Sequence, residues 1–398
     1  MHELIKERVM KPISDAELER RWKAVREVMK AKKVDFLLIE NNNDYLGGYI
    51  KWFTDIPAVH AYPISAIFPV DDGMTTFSHG ELEPKGGTGL PAWLVRGVKK
   101  RMSSPIMTSC NFTCHYDGEM IVNELKPYPK CTISFVNEGA MRAGFVNYIR
   151  QNMTGATFVD ITDEIDLIKA IKSPEEIGHI KNSCYVHDEA MKACYEAIKP
   201  GIREFEIGAI GRFKAKMLGS EQLFIQIGSA PPGQNFPYSN IHAMNRVIQE
   251  GDSLGILIEA ICPAGYYTHL HRTVCVGKIP EPLAVVYEDM MTAYRRTRNL
   301  LKPGADPIDI LDDYNDFLQS KGYPMERRLY AHGQGYDLVE RPSCQIGETM
   351  KIEENMNIAI HPPISKNGTA NICDNYIITK TGVSECLHKT PQEIYVVK

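Results

Sequence analysis

The sequence predicts a two-domain protein of mixed α/β class, whose second domain contains a curved antiparallel sheet covered by helices. Three observations lead to this prediction. The chain has 398 residues, which is more than one hydrophobic core usually supports. Helical and strand patterns alternate through residues 1–170. After them, a Lys-Pro-Gly pattern that ends one helix and starts the next occurs twice.

The first domain is predicted over residues 1–170 and begins with a helix. Ser14 and Glu17 form a capping box, and Leu18, Val25 and Met29 follow at helical spacing. Apolar runs that predict strands lie at residues 34–39, 66–70 and 132–136. Neither a glycine-rich nucleotide fingerprint nor a nucleophile elbow occurs among them. We therefore expect an α/β domain without a phosphate-binding loop.

The second domain is predicted over residues 171–398 and begins with a capped helix. Ser173, Pro174 and Glu176 supply the capping side chain, a proline at the first helical position and a reciprocal acid. The segments 198–207 and 301–310 then share an apolar-Lys-Pro-Gly start and an acid-Ile end. Lys-Pro-Gly is a common helix stop, but we favour two helix-helix-sheet halves related by pseudo-twofold symmetry. Helices on the outer face of a curved sheet would leave its inner face open for a site.

Composition and charge exclude several classes of partner. The formal charge is -5 with a pI near 6.2, and no basic stripe is present, so nucleic acid is not an expected partner. The apolar runs are shorter than the roughly 20 residues of a membrane span, and the first residues lack the apolar core of a signal peptide. Ten cysteines at irregular spacing predict no disulfide framework. We therefore expect a cytoplasmic protein that acts on a small molecule.

Five segments of the second domain carry the candidate site. They include GDSLGILIEAICPAGYYTHLHRT at residues 251–273 and AHGQGYD at 331–337, with further segments at 240–242, 355–364 and 371–382. Together they resemble the superfamily of creatinase, prolidase and methionine aminopeptidase, and the likeness covers the whole second domain. The resemblance implies a pita-bread catalytic domain after a creatinase-like N-terminal domain, and a hydrolase. It also implies a homodimer, because in that family one subunit helps to close the site of the other.

The resemblance also shows where this chain departs from the family's metal centre. The metallopeptidases hold two divalent ions with two Asp, one His and two Glu, because bridging carboxylates suit hard cations. The five aligned positions of this chain hold Leu257, His269, His332, His361 and Cys373, so His332 alone keeps the family's residue. A dinuclear, carboxylate-bridged centre is therefore not expected. Glu259 lies two residues after Leu257, on the same strand face.

Two interpretations of these substitutions stay open, and we favour the first, a creatinase-like hydrolase without a cofactor. It would cleave a C–N bond of a guanidino acid, a betaine-like compound or an N-substituted amino acid, with histidine as acid and base. The resemblance to creatinase implies that His242 would move the proton and that His332 would orient the reacting group. The predicted catalytic residues are His242, Glu259, His269, His332 and His361, and the predicted substrate-binding residues are Tyr62, Tyr267, His271, Arg341 and Cys373.

The second interpretation is an enzyme with a single divalent transition metal. His269, His332, His361 and Cys373 are ligand types that suit zinc, iron or copper, and Glu259 lies close in sequence. Such a centre would belong to a lyase or to an Xaa-Pro peptidase-like enzyme. A separate alternative for the function is a catalytically inactive binding module, since fold alone does not decide activity. A binding module would not require this concentration of imidazoles.

Overall fold

The protein is described by a computed structural model that covers residues 11–41, 45, 48–57, 62–79, 95–104, 110, 115–220, 222–236 and 244–398. The chain divides into two compact units, Met1–Lys169 and Ala170–Lys398. Within the ranges just given, no helix has both the length and the apolar character needed to cross a membrane.

The first unit contains a six-stranded mixed sheet packed with helices. Helix α1, Asp15–Lys32, begins at the predicted cap, where the Ser14 hydroxyl accepts a hydrogen bond from the N–H of Glu17. The strands lie in the order β4-β3-β2-β1-β5-β6, with β1 antiparallel to β2 and parallel to β5. The strands are β1 Phe36–Asn41, β2 Ile64–Pro69, β3 Met74–His79, β4 Val98–Ser104, β5 Thr132–Phe135 and β6 Thr157–Val159. The other helices are α2 Gly48–Thr54, α3 Tyr116–Leu125, α4 Ala143–Asn152 and α5 Thr162–Ala170.

Two helix pairs form the outer layer of the second unit. The capping box at Ser173 is present, with the side chains of Ser173 and Glu176 each bonded to the other's backbone N–H. Each Lys-Pro-Gly segment joins the two helices of one pair, as the repeat predicts. The first pair is α6 Pro174–Ala197 with α7 Glu204–Met217, and the second is α8 Glu281–Leu300 with α9 Pro307–Ser320.

The strands of the second unit confirm the predicted curved antiparallel sheet. The first helix pair precedes β7, β8 and β9, and the second precedes β10, β12 and β15, so each half supplies helices and then strands. The strand order is β11-β10-β12-β15-β9-β8-β7, and β16 pairs in parallel with β9. The strands are β7 Leu223–Ala230, β8 Ser253–Ile261, β9 Tyr267–Val276, β10 Ala331–Gly333, β11 Glu340–Ser343, β12 Asn357–Ile360, β13 Ile364–Ser365, β14 Thr369–Ala370, β15 Ile372–Ile377 and β16 Tyr395–Val397.

Strand alternation separates a structural face of this sheet from the face that carries the site. On the helix side, Arg272 of β9 donates to Asp374 of β15 at 2.6 Å, and Tyr294 of α8 donates to the same carboxylate at 3.0 Å. Because successive side chains of a strand point to opposite faces, His271 and Cys373 lie on the inner face. The buried ion pair between Arg272 and Asp374 therefore holds β9 and β15 together on the side opposite to the polar inner face.

Candidate functional site

Three histidines from separate strands of the second unit converge on its inner face. His269 lies on β9, His332 on β10, and His361 directly after β12. One ligand nitrogen from each lies within 4.8 Å of the others, and all three side chains are buried. The ring centroids of His269 and His361 are 5.2 Å apart, and those of His332 and His361 are 5.1 Å apart.

Most ring nitrogens of the three histidines have no hydrogen-bond partner among the described residues. The Nδ1 of His332 donates to the carbonyl of Gly333 at 2.8 Å, because a carbonyl can only accept, so Nε2 carries the lone pair. Neither ring nitrogen of His269 or His361 has a hydrogen-bond partner among the residues that the structure describes. Buried polar atoms are usually satisfied, so these nitrogens point to a ligand.

Burial sets the protonation state of the cluster. It lowers the pKa of His332 to about 4, against smaller opposing contributions from Gly333 and Glu340. Burial also lowers the pKa of His269 and His361 well below the usual value, and the neighbouring imidazoles add to that effect. The rings are therefore neutral near pH 7, which is the form in which imidazole binds a metal ion.

Glu259 is the carboxylate next to the cluster. In the β8–β9 ladder Glu259 pairs with His269, whereas Leu257 pairs with His271. Glu259, and not the aligned residue Leu257, is therefore the neighbour of His269 on β8. Its Oε1 lies 3.3 Å from Nδ1 of His269, a close contact that is not aligned as a hydrogen bond. Burial raises the pKa of Glu259 to about 8, although a hydrogen bond from Gln334 opposes the shift.

The donor set decides which kind of metal centre fits. A carboxylate-bridged pair of ions does not fit, because the converging ligand atoms found in the described chain are imidazole nitrogens with no carboxylate among them. A single transition-metal ion fits, because three neutral imidazoles are common ligands for one such ion and the nitrogens of His269 and His361 lack other partners.

Two further predicted residues lie on the same face but outside the triad. His271 pairs with Cys373 across β9 and β15, and its ring centroid is 6.4 Å from that of His269. Burial raises the pKa of Cys373 well above the usual thiol value. Cys373 is not one of the side chains whose ligand atoms converge. The structure therefore brings together three of the four predicted metal ligands.

The remaining predicted residues have other surroundings. Tyr267 is buried, and its hydroxyl donates to Gln222 at 3.4 Å. The guanidinium of Arg341 bonds Glu348 at 2.6 Å and 3.0 Å. Tyr62 belongs to the first unit, where its ring lies 5.6 Å from that of His79. His242, the predicted proton shuttle, lies outside the described residues.

Three buried amides next to the triad were not predicted from the sequence. Gln334 donates to Glu259 at 3.2 Å, and Asn375 donates to Gln334 at 2.9 Å and to Asn357 at 3.1 Å. Strand alternation could have identified Asn375, which lies two residues after Cys373 on β15. Gln334 carries no such signal, because it follows the end of β10.

Comparisons with known proteins identify a family and a shared fold. The sequence model of metallopeptidase family M24 matches residues 178–380. An Xaa-Pro dipeptidase of Pyrococcus furiosus is 28% identical over 261 residues, which are 65% of this chain and 74% of that protein. A creatinase of a Bacillus species is 25% identical over 229 residues, 51% of this chain and 53% of the creatinase. A solved X-Pro aminopeptidase of Thermotoga maritima matches with a TM-score of 0.78 and 17% identity over 94% of this chain and 99% of that one, so the pita-bread fold is shared.

Proposed function

The chain belongs to metallopeptidase family M24 and is a hydrolase, and from that premise we propose that it cleaves the C–N bond of a small Xaa-Pro-like peptide at a single-metal centre. His269, His332 and His361 would hold the ion, and Glu259 would exchange a proton with the reacting groups. The observation that carries this proposal is the convergence of the three buried imidazole nitrogens within 4.8 Å of one another.

The state of the imidazoles favours a ligand role over acid–base catalysis. A general acid or base works best when its pKa lies near the working pH. Burial lowers the pKa of His332 to about 4 and lowers those of His269 and His361 well below the usual value. Metal ligation requires the neutral ring, which burial favours. The metal-free creatinase-like interpretation, which we favoured from the sequence, therefore has less support than its single-metal alternative.

The chain's own groups share the remaining chemistry. A bound divalent ion supplies a Lewis acid that polarises a carbonyl and makes a bound water more acidic. Glu259 Oε1 accepts from Gln334 at 3.2 Å and faces His269, so Oε2 is the oxygen left for proton exchange with water and with the leaving nitrogen. Tyr267 and Gly335 are joined by a 2.7 Å backbone hydrogen bond, which ties β9 to the residues after β10 beside the triad.

The relatives guide the choice of substrate. The Xaa-Pro dipeptidase of Pyrococcus furiosus matches more of this chain, at higher identity, than the Bacillus creatinase does. Hydrolysis of a C–N bond fits both relatives, and the family that matches is named as a metallopeptidase family. A peptide bond is therefore the substrate that we propose, ahead of an amidino bond.

The test is a substrate panel run on metal-stripped protein. Xaa-Pro dipeptides, other dipeptides, guanidino acids and betaines are offered before and after adding back Zn²⁺, Mn²⁺, Co²⁺ or Fe²⁺. We expect turnover of an Xaa-Pro dipeptide that returns with about one ion per chain, as a single-ion catalytic site requires. Turnover of a guanidino acid without added metal would overturn the proposal in favour of the metal-free interpretation. Metal binding without turnover of any member would support a binding module instead.

A matched pair of variants ties the turnover to the triad. His332→Ala should abolish turnover while the protein stays folded. Asn315→Leu is the control, because the Asn315 amide bonds the backbone of Glu326 at 2.7 Å and 3.2 Å from the outer helix α9. The control should lose some stability and keep its turnover. Equal turnover in both variants would count against the assignment of His332.

Two finer predictions from the sequence accompany this function. The homodimer is tested by light scattering of the full chain at several concentrations, where a mass of one chain would contradict it. The cytoplasmic location is tested by fractionation of the source cells, where recovery outside the cytoplasm would contradict it.

A further inference from the structure

The antiparallel sheet of the second unit opens at the point where the triad lies. Strands β9 and β15 pair at Arg272 with Ile372 and at His271 with Cys373, and their ladder ends there. The backbone N–H of His269 bonds instead to the side-chain Oδ1 of Asn375 at 2.7 Å. The opening therefore lies between two groups of strands. On one side is β9, which carries His269, and on the other are β10, which carries His332, and β12, which ends just before His361.

A chain of side-chain amides crosses this opening. Asn375 Nδ2 donates to Oε1 of Gln334 at 2.9 Å and to Oδ1 of Asn357 at 3.1 Å. Asn357 Nδ2 donates to the carbonyl of Gln334 at 3.1 Å. Gln334 Nε2 donates to Glu259 at 3.2 Å and to the carbonyl of Leu338 at 2.9 Å. The three amide side chains are buried, and we call Asn375, Gln334 and Asn357 the amide bridge.

Backbone partners fix the orientation of both central amides. The N–H of His269 can only donate, so Asn375 directs its oxygen toward β9. The carbonyl of Leu338 can only accept, so Gln334 directs its nitrogen toward Leu338 and Glu259. Gln334 therefore always offers Glu259 a donor. A buried network whose members are all satisfied holds one geometry, whereas a partly satisfied network does not.

We propose that Asn375 and Gln334 are positioning residues, which hold His269 and Glu259 in place against His332 and His361 across the opening of the sheet. This inference rests on the proposed single-metal function. In it, the amide bridge sets the distances between the nitrogens that would bind the ion. Each residue would act through the group that it contacts, Asn375 through His269 and Gln334 through Glu259. Groups that orient metal ligands from outside usually change metal affinity by about ten- to a hundredfold when they are removed.

Two variants of Asn375 distinguish its hydrogen bond with His269 from its hydrogen bonds with Gln334 and Asn357. Asn375→Leu removes every side-chain hydrogen bond of Asn375 at similar volume. Asn375→Asp keeps an acceptor for the N–H of His269 and loses the donors to Gln334 and Asn357. Asn315→Leu is the matched control, because Asn315 is also a buried amide with two backbone hydrogen bonds. Zn²⁺ affinity is measured by competition with a chelator, and the ligand geometry by the visible absorption of the Co²⁺-substituted protein.

We expect Asn375→Leu to lower Zn²⁺ affinity by about ten- to a hundredfold and to change the Co²⁺ spectrum. Asn375→Asp should give a smaller loss, since one of its contacts remains. Asn315→Leu should lower the unfolding midpoint and leave both metal readouts unchanged. Wild-type affinity and spectrum in Asn375→Leu would overturn the inference.

A separate readout distinguishes a failure of the bridge from a failure of the proposed function. If the wild-type protein binds no Zn²⁺, the single-metal function is wrong, and the bridge is then tested in the metal-free protein by hydrogen exchange of the His269 amide. Faster exchange in Asn375→Leu than in Asn315→Leu supports the bridge. Equal exchange in the two variants overturns it.

Discussion

Two groups of buried histidines in the second unit differ in what their ring nitrogens contact. His187 donates from Nδ1 to the carbonyl of Ser183 at 2.7 Å and accepts at Nε2 from the N–H of Ala260 at 2.9 Å. His269 and His361 have no ring hydrogen bond to any residue that the structure describes. Burial lowers the pKa in both groups, to about 3 for His187. Burial therefore does not distinguish His187 from His269 and His361, whereas the hydrogen bonds of their ring nitrogens do.

The energetic reason lies in the cost of unsatisfied polar atoms. A buried donor or acceptor without a partner costs about 1–3 kcal/mol. His187 avoids that cost through backbone groups, so it supports the fold of β8 and α6. His269 and His361 would recover that cost on binding a ligand. The following predictions test this contrast, in order of decreasing effect.

The largest effect is expected from removing one ligand of the triad. His361→Ala should lower Zn²⁺ affinity by more than the roughly hundredfold change that groups outside the ligand shell cause. His187→Ala should leave that affinity unchanged. Both are measured by chelator competition. An equal loss of affinity in the two variants would remove the distinction between the two groups of histidines.

The free energy of unfolding should fall more in His187→Ala than in His361→Ala, which is the reverse of the order expected for Zn²⁺ affinity. His187→Ala leaves the N–H of Ala260 without its 2.9 Å partner and creates a cavity, so we expect the free energy of unfolding to fall by about 3 kcal/mol. His361→Ala in metal-free protein removes nitrogens that have no partner in the described chain, so its loss should be smaller. Urea unfolding of both variants measures the difference. A larger loss in His361→Ala would contradict the assignment of His187 as the structural residue.

The pH dependence of stability provides a further test of His187. Its pKa is about 3 in the folded chain, below the ordinary 6.5, so the folded state favours the neutral ring. The contribution to stability is therefore present above pH 6.5 and is lost as the pH falls toward 3. Between pH 7 and pH 4 the wild-type protein should lose about 3 kcal/mol more than His187→Ala. Parallel stability curves for the two proteins would contradict the prediction.

The smallest effect is expected at Cys373, which the sequence offered as a fourth ligand. Its ligand atom does not converge with those of the triad. Cys373→Ala should therefore change Zn²⁺ affinity by less than the roughly tenfold effect of a typical outer group. Chelator competition measures this, with His361→Ala as the reference for a lost ligand. A loss as large as in that reference would add the thiol to the ligand set.

Local patterns in the sequence predicted the fold and the strand face on which the candidate site residues lie. The capping box at Ser173 and the Lys-Pro-Gly segments predicted the two helix pairs, because caps and stops act over a few residues. The period-two alternation of a strand predicted that His269 and His271 share a face. These features depend on near neighbours in the chain, which is why they can be read without coordinates.

Contacts set by tertiary structure could not be read in this way. Leu257 and Glu259 lie on the same face, and only the register of β8 against β9 pairs Glu259 with His269. Alternation places Asn375 on the face of Cys373, but its bond to the N–H of His269 depends on the opening between β9 and β15, which no local pattern marks. Arg341 bonds Glu348 through a turn whose geometry the sequence did not specify.

X-ray absorption of Zn²⁺-loaded protein tests the central claim most directly, because it counts the atoms around the ion. We predict one ion per chain with the scattering of three imidazoles, which are the residues His269, His332 and His361. A metal–metal distance in the spectrum would indicate a pair of ions and would contradict the account. An ion without imidazole scattering, or no bound ion at all, would contradict it equally.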